Sequence, residues 1–99
     1  MPAVLAVERR ESPYVRVEGH LDLDSAQAML RALAKRLRGD VPLFIDVSRI
    51  ESCDGGGLEM FRRLRDVAAY RGASIRLVRP CPRMRVALAR AGLTDVVLF

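Results

Sequence analysis

The chain has 99 residues, of which 51% are apolar and 29% are charged, and its formal net charge is +5. This length supports one domain, residues 1–99, built around a single core. No apolar run approaches the roughly 20 residues of a membrane-spanning helix, and the N-terminal residues lack the charged start that is typical of a signal peptide. We therefore expect a cytoplasmic protein without membrane insertion. The arginines are scattered without interleaved aromatic residues, so we expect no nucleic-acid partner.

The two cysteines, Cys53 and Cys81, lie far apart in sequence and lack CxxC spacing. His20 is the single histidine, so the sequence predicts neither a metal site nor another cofactor. Reduced thiols are the usual state of cysteine in the cytosol. Both cysteines would lie near the same end of the predicted sheet, so a redox bridge between them stays open as a minor alternative.

The N-terminal third predicts two strands and a helix. The apolar run 3–7 and the alternating run 14–18 predict an antiparallel hairpin across a polar turn, ended by Gly19. Apolar residues then recur with helical spacing from Ala26 to Leu37. The candidate caps of this helix are, at its start, Asp22, Asp24 and Ser25, and, at its end, Gly39.

The rest of the chain alternates strands and helices. The run 43–47 is nearly continuously apolar, which is typical of a strand buried on both faces by helices. The later elements are a helix at 58–71 closed by Gly72, a strand at 74–78, a helix from Pro82 closed by Gly92, and a strand at 96–99. The order β-β-α-β-α-β-α-β predicts an α/β fold with a mixed, largely parallel sheet of about five strands.

Three consecutive glycines, Gly55 to Gly57, stand between a predicted strand and a predicted helix. They predict a tight turn with free amides at the positive end of a helix dipole, which is a general anion site. The P-loop pattern is excluded because no lysine or hydroxyl follows the last glycine, and Glu59 and Met60 break the GxGxxG pattern. Weak phosphate or nucleotide binding at the turn stays open as a minor alternative.

A catalytic set is not evident in the sequence. Asp46 and Asp54 could form a carboxylate pair, but Asp54 before the glycines is better interpreted as a helix cap. His20 has no nucleophile partner at a suitable spacing, and Ser48 and Ser52 have no nearby base in sequence. We therefore expect a protein that is not an enzyme.

Four segments together resemble a known family. The pattern Asp46-x-Ser48-x-Ile50-x-x-x-Asp54-x-x-Gly57-Leu58 is similar to the signature of STAS domains, the fold of bacterial anti-sigma factor antagonists. The other three segments, in the order of the family, are Gly19-His-Leu-Asp22, Arg71-Gly-Ala-Ser-Ile-Arg-Leu-Val78 and Ala91-Gly-Leu93. The resemblance extends over the whole chain.

The resemblance implies a binding module that regulates transcription by sequestering a serine-kinase anti-sigma factor, which releases a sigma factor. In the family the kinase phosphorylates the hydroxyl residue directly after the motif aspartate, and here that position is Gly55. An always-active antagonist, a structural subunit of a larger assembly and a degenerate member all stay open. The partner-binding surface that the resemblance implies consists of Asp22, Ser52, Cys53, Asp54, Gly55, Gly56, Gly57, Leu58, Glu59, Arg62 and Arg63.

The alternative is an accessory STAS subunit that docks on the ATPase of an ABC-type lipid transporter, as some single-domain members of the family do. We expect a monomer or a weak dimer in either case. Gly56→Arg is expected to abolish partner binding and to leave the fold intact.

Overall fold

The computed structural model describes residues 2–6 and 12–98, which form a five-stranded sheet with helices between the later strands. The elements in chain order are β1 (Val4–Ala6), β2 (Tyr14–Leu21), α1 (Leu23–Ala34), β3 (Leu43–Cys53), α2 (Gly55–Tyr70), β4 (Ile75–Val78), α3 (Pro82–Arg90), a 3-10 turn (Thr94–Val96) and β5 (Val97–Leu98). The predicted order of strands and helices is confirmed.

The five strands lie in the sheet in the order of the sequence. β1 is antiparallel to β2, while β3, β4 and β5 each pair parallel with the strand before them. Every parallel crossover therefore moves one place in the same direction, and right-handed crossovers then put all three helices on one face of the sheet. Contacts between the helices are consistent with this arrangement. α1 packs against α2, and Arg62 of α2 donates to the carbonyl of Ala91, which follows α3.

The core fills the space between this helical layer and one face of the sheet. Alternate residues of the strands point into it, among them Val17 of β2 and Ile45 of β3, which are both fully buried. Phe61 and Leu64 of α2 meet them from the helical layer. Phe44 points to the other face and is only half-buried. The prediction that helices cover both faces of β3 is therefore wrong, because all the crossovers lie on one side.

The start and end of α1 differ from the prediction. Asp22 is the N-cap, and its carboxylate accepts from the backbone N–H of Ser25 at 3.0 Å, while the hydroxyl of Ser25 accepts from the N–H of Asp22. This capping box starts the helix at Leu23, three residues earlier than expected. The helix ends at Ala34 with a right-handed C-cap at Lys35, so Gly39 is not its cap.

The two other predicted glycine caps, Gly72 and Gly92, are confirmed. Gly72 and Gly92 have positive φ angles of 71° and 74° and end α2 and α3. Leu93, which follows the second cap, is fully buried and supplies the expected apolar contact. The predicted strand residue Val7, most of the polar turn at 8–13 and Phe99 lie outside the described residues.

β3 is much longer than the predicted strand. Only its first four residues pair with β4, and the rest, through Cys53, continues beside β2 alone. We call the pairing of Glu18–Leu21 with Arg49–Cys53 the β2–β3 ribbon; on its other side, β2 also pairs with Val4 at Glu18 and with Pro2 at His20. Two register shifts interrupt the pairing, and Gly19 adopts a φ of 99° beside the second one. Gly19 therefore marks an irregularity inside β2 and does not end the strand.

A buried aspartate lies where β4 ends and the β2–β3 ribbon begins. The side chain of Asp46 is 1% exposed, and its Oδ1 accepts from the N–H of Ser48 at 2.9 Å, across the first register shift. Its Oδ2 accepts from the Tyr14 hydroxyl at 3.2 Å and from the guanidinium of Arg79, a residue with a positive φ of 57°. Burial alone would raise the pKa of Asp46, but the hydrogen bonds from Ser48, Arg79 and Tyr14 outweigh burial and lower it.

The three glycines form the first turn of α2 and not a separate turn before it. Asp54 is the N-cap, and its Oδ1 accepts from the N–H of Gly57 at 3.1 Å. A Cβ on Gly56 would lie 2.8 Å from Cα of Leu23, and one on Gly57 would lie 2.7 Å from Sγ of Cys53. A Cβ on Gly55 would meet nothing within 4 Å. Two of the glycines therefore allow close packing, and the first one faces open space.

Gly56→Ala and Gly55→Ala form a matched pair on this turn. We expect Gly56→Ala to lower the free energy of unfolding by about 1–3 kcal/mol, because the new methyl group overpacks against the backbone of α1. Gly55→Ala should leave it unchanged or raise it by up to about 1 kcal/mol, since alanine favours helix and has room there. Urea denaturation at pH 7 measures both. Equal stability of the two variants would contradict the close contact.

Asp46→Asn tests the buried carboxylate through its pH dependence. A folded-state pKa below the unfolded value gives stability that is present above the unfolded pKa of about 3.9 and is lost as pH falls through the folded pKa. We expect the variant to lose about 1–3 kcal/mol at pH 7. Its deficit should shrink as the pH falls below about 4. Urea denaturation from pH 7 to pH 3 measures this, with the exposed Asp66→Asn as control; a deficit independent of pH would contradict the assignment.

Candidate functional site

The predicted binding residues meet at the edge of the sheet where β2 and β3 end. Each of these strands is followed by an aspartate that caps the next helix, Asp22 for α1 and Asp54 for α2. The N–H of Asp54 donates to the carbonyl of Leu21 at 3.2 Å, which ties the two strand ends together. The hydrogen bonds from the backbone and side chain of Ser25 lower the pKa of Asp22, so this carboxylate is charged at neutral pH.

The start of α2 is less open to an anion than the glycines alone suggest. Its N-terminal amides at Gly57 and Leu58 already donate to the side chain and carbonyl of Asp54, at 3.1 and 3.0 Å. The carboxylate of Asp54 itself lies at this end of the helix and would repel a phosphate. These contacts argue against the alternative of a phosphate or nucleotide site here.

The exposed part of the predicted surface is a stripe along α2. Gly55, Glu59 and Arg63 follow one another at intervals of four residues and so lie on one face of the helix. The side chains of Glu59 and Arg63 are 51% and 69% exposed and form a surface ion pair at 3.7 Å. We call these three residues the α2 stripe.

A groove runs beside the α2 stripe, between α1 and α2. Its volume is about 310 Å³, and Leu23, one of its lining residues, is 75% exposed. The residues that line the groove are Leu23, Ala26, Gln27, Leu30, Gly56, Glu59, Met60 and Arg63.

Other predicted binding residues have structural contacts inside the molecule. Arg62 donates to the carbonyl of Ala91 and so fixes the end of α3 against α2. Leu58 is half-buried against the core. Gly56 is packed against Leu23, so the expectation that Gly56→Arg would leave the fold intact is wrong.

The two cysteines are free thiols, one half-buried and one exposed. Cys53 lies beneath the first turn of α2, where burial and the nearby Asp54 carboxylate raise its pKa to about 11. A thiol with so high a pKa is a poor nucleophile and a poor partner in disulfide exchange. This argues against the redox alternative.

The contacts of Asp46 and Asp54 argue against a catalytic carboxylate pair. Asp46 is held by Tyr14, Ser48 and Arg79, whereas Asp54 is held at the start of α2, so each carboxylate has separate partners. Among residues 2–6 and 12–98, no three His, Cys, Asp or Glu side chains form a group that could hold a metal ion. No helix in the same ranges has the length and apolar character needed to cross a membrane.

The structure also brings together a group that sequence reasoning missed. On the β2–β3 ribbon, Nδ1 of His20 lies 2.6 Å from the hydroxyl oxygen of Ser52, and Nε2 lies 3.0 Å from a carboxylate oxygen of Glu51. His20 and Ser52 are 32 residues apart, so the spacing in sequence did not indicate that they are partners. A signal was present in the sequence, because His20 and Ser52 each stand two residues before the aspartate that caps the next helix.

Comparison with solved structures finds the same fold in a bacterial regulator. The anti-sigma factor antagonist SpoIIAA in its unphosphorylated form matches with a TM-score of 0.68 and 18% identity, over 97% of this chain and 85% of that chain. The Bacillus cell fate determinant SpoIIAA in its phosphorylated form matches with a TM-score of 0.65 and 20% identity, over 97% and 88%. At these identities the likeness concerns the fold.

Comparison of sequences is more specific about the family. No curated protein sequence matches this chain. The family described as "Mlab, STAS domain" matches residues 5–98, which is nearly the whole chain and includes both capping aspartates and the α2 stripe. The resemblance seen in the motifs is thereby confirmed, and the chain belongs to the STAS domain family.

Proposed function

We propose that this STAS domain is an anti-sigma factor antagonist that binds a serine-kinase anti-sigma factor through the α2 stripe and its surroundings. The observation that carries the proposal is the open, side-chain-free position of Gly55 at the exposed start of α2. A glycine there leaves the helix end accessible to another backbone. The likeness in fold to SpoIIAA, an anti-sigma factor antagonist, supports the same class of partner.

The charges of the α2 stripe suit a protein partner. Glu59 and Arg63 are mostly exposed, and the surface ion pairs of Glu59 with Arg62 at 3.4 Å and with Arg63 at 3.7 Å contribute little to the stability of the chain. Both charges are therefore available to groups of opposite sign on another protein, which favours specificity and fast association. The neighbouring groove with the exposed Leu23 offers apolar area beside these charges.

The proposed mechanism is binding and not catalysis. STAS domains of this kind are generally not enzymes, and the α2 stripe carries no nucleophile with a base beside it. The antagonist would act by occupying the surface of the anti-sigma factor and so releasing the sigma factor.

The usual phosphorylation switch is missing at its usual position. In the family the residue after the motif aspartate carries the hydroxyl, and here Gly55 has none. Because a Cβ at this position would meet nothing within 4 Å, a serine would fit there without disturbing the fold. The absence of the hydroxyl therefore does not follow from packing, which distinguishes Gly55 from Gly56.

Gly55→Arg tests the proposed surface. We expect the free energy of unfolding to stay within about 0.5 kcal/mol of the original chain, since the side chain enters open space. We expect the affinity for the partner to fall at least about tenfold, or 1.4 kcal/mol, because the bulky charge separates the two surfaces. The loss of affinity is measured by affinity purification from the native cell with the original chain and with Gly55→Arg. Quantitative mass spectrometry then gives the amount of serine-kinase anti-sigma factor recovered with each.

Tyr70→Arg is the matched control. Tyr70 is 93% exposed and stands at the other end of α2, about 22 Å from Gly55 by the rise of the helix. The Tyr70→Arg variant should still recover the anti-sigma factor. If Gly55→Arg recovers as much anti-sigma factor as Tyr70→Arg does, the proposed surface is contradicted. Recovery of an ABC-type ATPase in place of a kinase would favour the accessory-subunit alternative.

A further inference from the structure

The β2–β3 ribbon carries a carboxylate, an imidazole and a hydroxyl in series. Glu51, His20 and Ser52 are joined by contacts of 3.0 Å and 2.6 Å through the two ring nitrogens of the histidine. The side chains of His20 and Glu51 are 43% and 62% exposed, and Ser52 is exposed as well. The hydroxyl is thus hydrogen-bonded to a base and open to a reagent from outside.

The order of the three groups fixes the direction of the hydrogen bonds. An ionised Glu51 can only accept, so Nε2 of His20 carries a hydrogen toward it. In the neutral imidazole Nδ1 is then the acceptor, and the Ser52 hydroxyl donates its proton to Nδ1. A hydroxyl oriented on a base that a carboxylate holds in turn is the arrangement that activates serine nucleophiles.

We propose that Ser52 is the phosphoryl acceptor of this chain, in place of the hydroxyl missing at Gly55. This inference rests on the proposed function, since the donor is the nucleoside triphosphate held by the partner kinase. The Ser52 oxygen forms a bond to the γ-phosphorus while the bond to the β,γ-bridging oxygen breaks. The nucleoside diphosphate leaves, and the hydroxyl proton passes to Nδ1 of His20.

The position of Ser52 explains how its modification would control binding. Ser52 stands two residues before Asp54, within the predicted binding surface and at the same edge of the sheet as Gly55. A phosphate there adds about 1.5 to 2 negative charges at pH 7. Glu51 directly precedes this position and Asp54 follows two residues later, so the new charge adds to an edge that is already acidic and disfavours a partner that fits the unmodified surface.

A serine-reactive alkyl fluorophosphonate tests the nucleophile without any partner. The Ser52 oxygen would bond to phosphorus as fluoride leaves, and mass spectrometry of peptides locates the adduct. We expect labelling at Ser52, and a rate lower by about a hundredfold or more in His20→Ala, since a positioned base contributes that factor. Circular dichroism verifies that the variant is folded. Labelling that is absent, or that is unaffected by loss of His20, overturns the activated hydroxyl.

Ser48 provides the matched control on the same strand. It is exposed like Ser52, and its neighbour is the carboxylate of Asp46, with no histidine beside it. Ser48→Ala should therefore leave both the labelling and its rate unchanged. A fall in the rate equal to that of His20→Ala would show that the effect is structural and would overturn the role of His20.

Phosphorylation itself is measured on the protein isolated from its native cell in growing and in stationary cultures. We expect a species heavier by one phosphate, located at Ser52, present in Ser48→Ala and absent in Ser52→Ala. Phosphate at another residue, or none under either condition, overturns the acceptor. Binding of the unmodified chain to the kinase is measured separately, so failure of this inference is distinct from failure of the proposed function.

Discussion

The structure depends on the close approach of the first turn of α2 to α1 and to the ends of β2 and β3. Gly56 lies against the backbone of Leu23, and Gly57 lies against the carbonyl of Leu21 and the thiol of Cys53, at separations that exclude a Cβ. The two helices can therefore start side by side at one edge of the sheet. Any side chain at these positions would separate them and would displace the surface that they form together.

This constraint gives the three glycines different roles. Gly56 and Gly57 serve internal packing, and Asp54 fixes the amide of Gly57 through its carboxylate. Gly55 has no such contact, so its lack of a side chain is not required by the fold. Gly55 lies at the exposed start of α2, where the lack of a side chain leaves the helix end open to another backbone. The difference between neighbouring glycines, and not the run as a whole, therefore favours a docking surface at Gly55.

Local patterns predicted most of the fold, because most of its elements are specified locally. Alternation predicted β2, helical spacing predicted all three helices, and positive-φ glycines at Gly72 and Gly92 ended two of them. The length of β3 was missed, since the mostly polar residues from Ser48 to Ser52 look like a turn. They form a strand because they pair with β2, and the single apolar residue among them, Ile50, packs against the core, which is too little to give an alternating pattern.

The side-chain contacts between distant parts of the chain could be predicted only with the strand register. Asp46 meets Arg79, 33 residues away, and His20 meets Ser52, 32 residues away. β2 and β3 are parallel, and each is followed by an aspartate that caps the next helix. His20 and Ser52 each stand two residues before that aspartate, and the pairing of the strands places them side by side. The irregularities in that register matter, because a shift of one residue would turn a side chain to the other face. The bulge near Gly19 thereby decides whether the hydroxyl of Ser52 faces the imidazole, and so links a backbone irregularity to the proposed chemistry.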